Sequence, residues 1–370
     1  MKILVLADAQ SSHTIKWVNA LNNRDIDIFL YTLCSFDRKC FNNNIKIDSL
    51  YLEDEITNNN VGDFRKLKYL KALPKVKAII KKFKPDVIHA HYLSSYGLLG
   101  ILTRFHPILI SAWGIDIIGF PQRSIFHNIL TKFICRRADE IMVTSEYMKK
   151  WLVKITNRTA ITIPFGIDTK LFLPMKNFSI FSGKNIVIGT VKSLREQYGI
   201  EYLIRAFSSL KKKHPKLAIK LLIVGSGQLK YKLIEISNSL NIAEHIHFTG
   251  YIPHREIHKY HNMIDIFVAV STMDEETFGV AVLEASACEK PVVVSSVGGL
   301  IEIIIDNQTG IIVPPKNSEK TCEAIEKLIF NPDLRTTLGK SGRERVKKFY
   351  EWDYCVDNMI AIYKKHHLSC

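Results

Sequence analysis

Short apolar runs rich in Val and Ile recur along this chain, and that recurrence constrains the fold more than any other feature. A run that is apolar throughout must be buried on both faces, and the longer amphipathic stretches between the runs are helices that cover it. The pattern therefore predicts the α/β class with parallel sheets. In the first half the runs are Ile3 to Ala7, Ile26 to Tyr31, Asp86 to Ala90, Ile108 to Ala112, Glu140 to Thr144 and Ala160 to Ile163. A second series starts afresh at Ile186 to Val191. It continues with Lys220 to Val224, His245 to Thr249, Ile266 to Val270, Pro291 to Ser295 and Gly310 to Val313. Between the series, Asp168 to Lys184 carries Pro174, Asn and Ser clusters and Gly183, and reads as a linker. The expected layout is one Rossmann-like domain over 1–168, a linker over 169–184 and a second such domain over 185–347. A closing amphipathic helix follows over 348–370. A chain of 370 residues is also longer than one ordinary core supports.

Several function classes drop out. No stretch reaches the roughly 18 apolar residues of a membrane helix, because Arg104, His106 and Asp116 interrupt the most apolar region. Met1 to Ala7 is quickly followed by Asp8 and reads as a buried strand rather than a signal peptide. The seven cysteines are odd in number and scattered without metal-ligand spacing, which predicts a reducing, cytoplasmic setting and no metal. The net charge is +15, and residues 1–170 contribute +10 of it with 25 Lys and Arg against 15 Asp and Glu. An anionic partner is expected on that half; nucleic acid, a phosphate-bearing substrate and an anionic membrane surface are the candidates, and charge alone does not choose among them. Nucleic acid is not expected, since no binding module is recognisable.

The most informative stretch is Ser271 to Ala285. An apolar strand ends at Val270, a polar loop with acids and Gly279 follows, and a helix then begins. Amides in the first turn of such a helix are suited to hold phosphate. Glu276 and Glu284 bracket this turn, and carboxylates accept hydrogen bonds from sugar hydroxyls. The stretch resembles the Glu-x7-Glu signature of the retaining glycosyltransferases of family 4, which have the GT-B fold. Five further segments align with that family in the same order: Ile163 to Asp168, Gly199 to Phe207, Val224 to Gly227, Phe248 to Ile252, and Val297 to Glu302.

The resemblance implies two Rossmann-like domains facing a cleft, a C-terminal helix that can return to the first domain, and a sugar moved from a nucleoside diphosphate to an acceptor hydroxyl with retention of configuration. It implies that Glu276 contacts the donor sugar and Glu284 the ribose. Phe278, Gly279 and Val280 would line the diphosphate, and the backbone around Tyr251 and Ile252 would face the base. No cofactor or metal is implied beyond the donor. The acceptor would be a glycan or lipid-linked sugar, as in bacterial surface polysaccharide or lipopolysaccharide synthesis. A sugar-nucleotide epimerase of the same fold and a noncatalytic sugar-nucleotide-binding subunit are the alternatives.

The chain departs from the family twice. Ser193 and Tyr198 stand where many members carry the Arg and Lys that clamp the diphosphate, so Lys192 and Arg195 are the candidate replacements. Trp113 stands where many members place a histidine near the donor sugar, and a Trp cannot act as a general acid or base. His91, at the end of a neighbouring strand, is the candidate catalytic histidine in its stead. Ser11, Ser12 and His13, with Trp113 and Asp116, are expected on the acceptor side.

Phe64 to Lys84 carries nine cations and no acid. Its apolar residues recur every three or four positions, predicting a core-facing helical stripe broken or kinked at Pro74. The opposite, cationic face is the candidate for peripheral contact with anionic lipid at the inner face of the cell membrane.

Overall fold

The computed structural model describes residues 1–52, 64–175 and 179–368, and the side chains of 64–67 also lie outside the described set. The chain divides into two compact units, the first being Met1–Phe165 with Asp353–Cys370 and the second Gly166–Trp352.

In the first unit, strands β1 (Lys2–Leu6), β2 (Asp27–Thr32), β3 (Lys46–Ser49), β4 (Val87–His91), β5 (Ile108–Ala112), β6 (Glu140–Val143) and β7 (Ile161–Thr162) form a parallel sheet. Its order is β3-β2-β1-β4-β5-β6-β7. The chain winds outward from β1 in one direction and then returns to start again at β4. The strand order therefore reverses between β1 and β4, and a crevice opens there beyond the carboxyl ends of the strands. β3 is not among the apolar runs of the sequence. It lies at the sheet's edge, and its Lys46-Ile47-Asp48-Ser49 alternation leaves no continuous apolar signal.

The second unit repeats the winding with β8 (Ile186–Val191), β9 (Ile219–Val224), β10 (Ile246–Gly250), β11 (Ile266–Ala269), β12 (Val292–Ser295) and β13 (Ile311–Val313). The order β10-β9-β8-β11-β12-β13 puts its reversal between β8 and β11. Each sheet is covered by helices around its own core, with Leu6, Ile88 and Ile110 in one and Ile188, Phe207 and Val268 in the other.

The beginning of the expected linker is packed into the second unit. Phe172 is buried there, Arg343 Nη1 donates to its carbonyl at 3.1 Å, and Asn262 Oδ1 accepts from Met175 N at 2.8 Å. Polar loop composition does not register one buried aromatic anchor, which is why this stretch reads as linker. Residues 176–178 lie outside the description. At the other end, the helix Trp352–His367 buries Cys355, Val356, Met359 and Tyr363, and most of it belongs to the first unit. There His89 Nδ1 lies 2.6 Å from the Tyr363 hydroxyl, and Arg24 pairs with Asp353 at 2.9 Å.

The basic segment is a 3-10 stretch, Phe64–Ala72, followed by the helix Leu73–Phe83, with Pro74 in the first turn of the latter. Pro is compatible with that position because the first amides have no intrahelical acceptor. Val76, Ile79 and Phe83 are buried, so the stripe faces the core. Among the cations, Lys75 pairs with Asp48 at 2.7 Å, while Lys77, Lys81, Lys82 and Lys84 are exposed. Phe64, Arg65, Lys66 and Leu67 lie outside the described side chains. No helix among the described residues is long and apolar enough to cross a membrane.

Candidate functional site

In the second unit the crevice between β8 and β11 is lined by charge. Lys192 follows β8 directly, and Glu276 lies in the loop after β11. The Lys192 Nζ is 2.6 Å from Glu276 Oε2, and Ser271 Oγ donates to the same oxygen at 3.3 Å. The ammonium also sits 4.4 Å from the centre of the Tyr198 ring. Burial works against the charge on Lys192, but Glu276, Tyr198 and Glu284 outweigh it, so its pKa is raised. The two side chains hold each other in place across the strand reversal.

Tight backbone packing fixes both loops. Lys192 N donates to Val224 O at 2.9 Å, and Leu194 N to Ser226 O at 2.9 Å. On the other side Gly299 N donates to Glu276 O at 2.8 Å, and Thr272 N to Gln197 O at 2.8 Å. Gly298 has φ +52°, and a Cβ there would stand 2.1 Å from Glu276 O, so a side chain would displace the glutamate loop.

Glu284 lies in the helix Val280–Ala287 and is buried. His254 Nε2 is 2.8 Å from Oε1 and His261 Nε2 is 3.3 Å from Oε2. A carboxylate only accepts, so both ring nitrogens donate. Burial pushes the Glu284 carboxyl up, but the bonds from His254 and His261 prevail and bring it down to about 2. Phe172 packs within 5.8 Å of both imidazole rings. His254 is half exposed whereas His261 is fully buried, so the first can exchange its bond with a ligand and the second cannot.

The sequence reading did not select these two histidines. The signal was present: His254, His258 and His261 recur at the i, i+4, i+7 spacing of one helical face. Only the packing of the helix His254–Met263 against Val280–Ala287 gives that spacing a partner.

The turn between Glu276 and Glu284 begins the second helix at Gly279, whose φ of +83° is left-handed. Phe278 is buried, with its ring 6.0 Å from Tyr350, while Val280 is partly exposed in the first turn. In that turn Val282 N already donates to Gly279 O at 3.0 Å, and the amides ahead of it carry the positive end of the helix dipole. Beyond β10, Tyr251 is exposed and Ile252 partly so. Arg195 is exposed in the same loop as Lys192, and no side-chain hydrogen bond or ion pair involves it among the described residues.

The crevice of the first unit has the opposite character. His89 is buried between Tyr363 and Ser111 Oγ, the latter 2.8 Å from its Nε2, and burial brings its pKa down to about 3. His91, at the end of β4, is also buried. Burial, then the charges of His89 and His13, holds it well below the usual imidazole range. Its ring lies 4.4 Å from that of Trp113, and Thr14 Oγ1 is 3.5 Å from Nδ1. His91 is thus covered rather than presented at a surface, because a strand-end side chain here points under the β5 loop. His13 stacks on Phe165 at 4.1 Å and meets Trp113 edge-on at 5.9 Å.

Ser11 caps the helix Ser12–Asn22 by position without a side-chain cap bond, and Ser12 is exposed. Asp116 turns inward. Its carboxylate accepts from Leu93 N at 3.0 Å, Trp113 N at 3.1 Å and Gly114 N at 2.9 Å, and burial raises its pKa. With both oxygens engaged by backbone, Asp116 shapes the Trp113 loop. Among the described residues no group of three His, Cys, Asp or Glu is placed to hold a metal ion.

Residues 2–145 match the family model for glycosyl transferase 4-like proteins, and residues 175–345 match that for glycosyl transferases group 1. An uncharacterized glycosyltransferase of Methanocaldococcus jannaschii is 29% identical over 348 residues, covering 92% of this chain and 91% of that protein. A GDP-mannose-dependent alpha-(1-6)-phosphatidylinositol monomannoside mannosyltransferase of Mycolicibacterium smegmatis is 27% identical over 296 residues, covering 75% and 76%. Among solved structures, Anabaena HepE in complex with UDP is similar with a TM-score of 0.81 at 17% identity, over 99% of this chain and 100% of that one. The two parallel-sheet, Rossmann-like units are those of the GT-B fold.

Proposed function

For a chain that is a glycosyltransferase, its first half 4-like and its second half of group 1, we propose that it moves a sugar from a nucleoside diphosphate sugar to a hydroxyl of a glycan or lipid-linked acceptor, with retention at the anomeric carbon. The observation that carries this reading is the charged crevice of the second unit, where Lys192 and Glu276 meet across the strand reversal and Glu284 is kept ionised nearby. Its parts match the parts of such a donor. The first-turn amides at Gly279 and Val280, beside Phe278, take the diphosphate, and Lys192 with Arg195 supplies the cations that the family places at Ser193 and Tyr198. Glu284 accepts from the ribose hydroxyls in exchange for His254. The exposed ring of Tyr251 and the backbone at Ile252 flank the base.

Glu276 receives hydroxyls of the donor sugar when the diphosphate draws Lys192 towards itself. The C1–oxygen bond to the diphosphate breaks and the acceptor oxygen bonds to C1 on the same face. The acceptor's proton passes to the departing diphosphate, so no protein base is needed for that transfer. This suits a first unit in which Trp113 covers His91, and it makes His91 a positioning residue for Trp113. His13, Ser11, Ser12 and Trp113 form the acceptor side.

The relatives support the substrate classes. The mycobacterial protein is by its name GDP-mannose-dependent and acts on a phosphatidylinositol monomannoside, and the Anabaena structure holds UDP. The test is a panel of UDP- and GDP-sugars offered with lipid extracts, with products read by mass spectrometry and anomeric configuration by NMR. A product of retained configuration is expected, with turnover falling at least about tenfold in Glu276→Gln, equivalent to about 1.4 kcal/mol of transition-state stabilisation. An inverted product would overturn retention, and an epimerised donor without acceptor would turn the reading to an epimerase.

A further inference from the structure

The helix Ile125–Arg137 in the first unit is apolar on its outer face as well as on its inner one. Its buried face carries His127, Thr131, Ile134 and Cys135. Its outer face leaves Ile125 81%, Ile129 60%, Phe126 54% and Phe133 40% exposed. At 3.6 residues per turn these four fall within an arc of about 100°, so they form one continuous ridge. A core-facing helix ordinarily carries polar residues on its outer face. The same face carries Arg136 and Arg137, with Lys132 at its margin and Arg123 just before the helix. Arg137 lies over the Phe133 ring at 5.7 Å. No acid occurs between Asp116, which is buried and turned to backbone amides, and Asp139, which is bonded to His106 at 2.8 Å.

We infer that this helix face is a docking surface for an anionic lipid bilayer, with the Ile125, Phe126, Ile129 and Phe133 ridge entering the headgroup boundary and the four cations meeting lipid phosphates. Exposed apolar side chains flanked only by cations have the chemistry of an interfacial helix. A second copy of the chain fits less well, because a two-fold contact through this face sets its four cations against four, with no acid in the helix itself to offset them. The surface also differs from the Leu73–Phe83 helix, whose apolar stripe is buried and whose cations have nothing to insert. A bilayer seat on the acceptor-side unit would suit a lipid-linked acceptor, but the inference stands without that reading.

The test is sedimentation with vesicles of phosphatidylglycerol and phosphatidylcholine, or of phosphatidylcholine alone, with no sugar nucleotide present. The protein should bind the first kind and be released by high salt. Ile129→Ser with Phe133→Ser, and separately Arg136→Gln with Arg137→Gln, should each lower binding at least about tenfold. Lys77→Gln with Lys81→Gln and Lys82→Gln should stay within about twofold, since the screened charges there act alone. Circular dichroism melts report whether each variant folds. In Phe126→Trp, which leaves the ridge apolar, the added fluorescence should be quenched by brominated anionic lipid. Unchanged binding by a folded Ile129/Phe133 variant, no quenching at position 126, or a dimer of the parent that this variant dissolves would each overturn the inference. Because no donor is present, sugar transfer can fail while this result stands, and the reverse.

Discussion

The two units wind their sheets in the same way and put opposite chemistry at the same topological point. Beyond β8 and β11 the crevice holds an ion pair and an ionised glutamate. At the end of β4 the crevice of the first unit holds His91, kept neutral by burial against Trp113, with His13 stacked on Phe165 and meeting Trp113 edge-on. The lesson is that parallel winding decides where a ligand can sit, while side chains decide what can sit there. A diphosphate needs fixed charge and open amides, whereas a sugar acceptor needs aromatic faces and neutral hydrogen-bonding groups.

The contrast breaks most severely at Lys192. Lys192→Met strands Glu276 as a buried charge without its partner, a class of change that costs about 3–5 kcal/mol. Thermal unfolding should shift accordingly, and Lys192→Met with Glu276→Gln should recover part of the loss. If the double variant is no more stable than the single one, the pair does not hold the crevice together.

Acid provides the next cut. The His89 pKa is depressed in the fold from 6.5 to about 3, so its neutral burial supports stability above pH 6.5 and the support is lost as pH falls towards 3. Glu284 is depressed from 4.5 to about 2, so its contribution is complete above pH 4.5 and is lost only below it. Melts from pH 7 to pH 4.5 should therefore lose stability through the first unit, and His89→Gln should flatten that slope while Glu284→Gln leaves it alone. An unchanged slope in His89→Gln would remove the histidine from the account.

Smaller effects sharpen the assignment of parts within the charged crevice. Glu284→Ala should weaken nucleotide binding by roughly 1.5–3 kcal/mol, the range for hydrogen bonds to a charged group, as read by calorimetry. Unaltered affinity would contradict ribose binding there. Arg195→Ala should lower affinity for a nucleoside diphosphate by less than about tenfold, because an exposed cation is screened, and leave the bare nucleoside unaffected. Equal losses for both ligands would mean that Arg195 does not meet the diphosphate.

The strands of both sheets were legible in the chain because parallel strands buried on both faces need unbroken apolar runs, which local sequence cannot hide. Edge strand β3 escaped for the complementary reason: exposed Lys46 and half-buried Asp48, which pairs with Lys75, break the run. Glu276, Gly279 and Glu284 were legible because strand, loop and helix follow one another within a single short stretch. Lys192 was a candidate only as one of two cations in a loop, and nothing local tells which of Lys192 and Arg195 turns inward. Asp116 is expected on the acceptor side from its loop, and its turn inward depends on three backbone donors that come from two separate segments.

The sequence alone thus determined the α/β class, the two series of strands and the positions of the acids around Gly279, since each depends on neighbours within a few residues. Tertiary structure alone decided that Lys192 reaches Glu276, that His254 and His261 hold Glu284, and that Trp113 covers His91. It also decided that Phe172 anchors an apparent linker and that Ile125, Ile129 and Phe133 look outward. Each of these depends on which face of one element meets another from a distant part of the chain. Helical periodicity specifies that an apolar face exists, and only packing specifies whether protein or something else covers it.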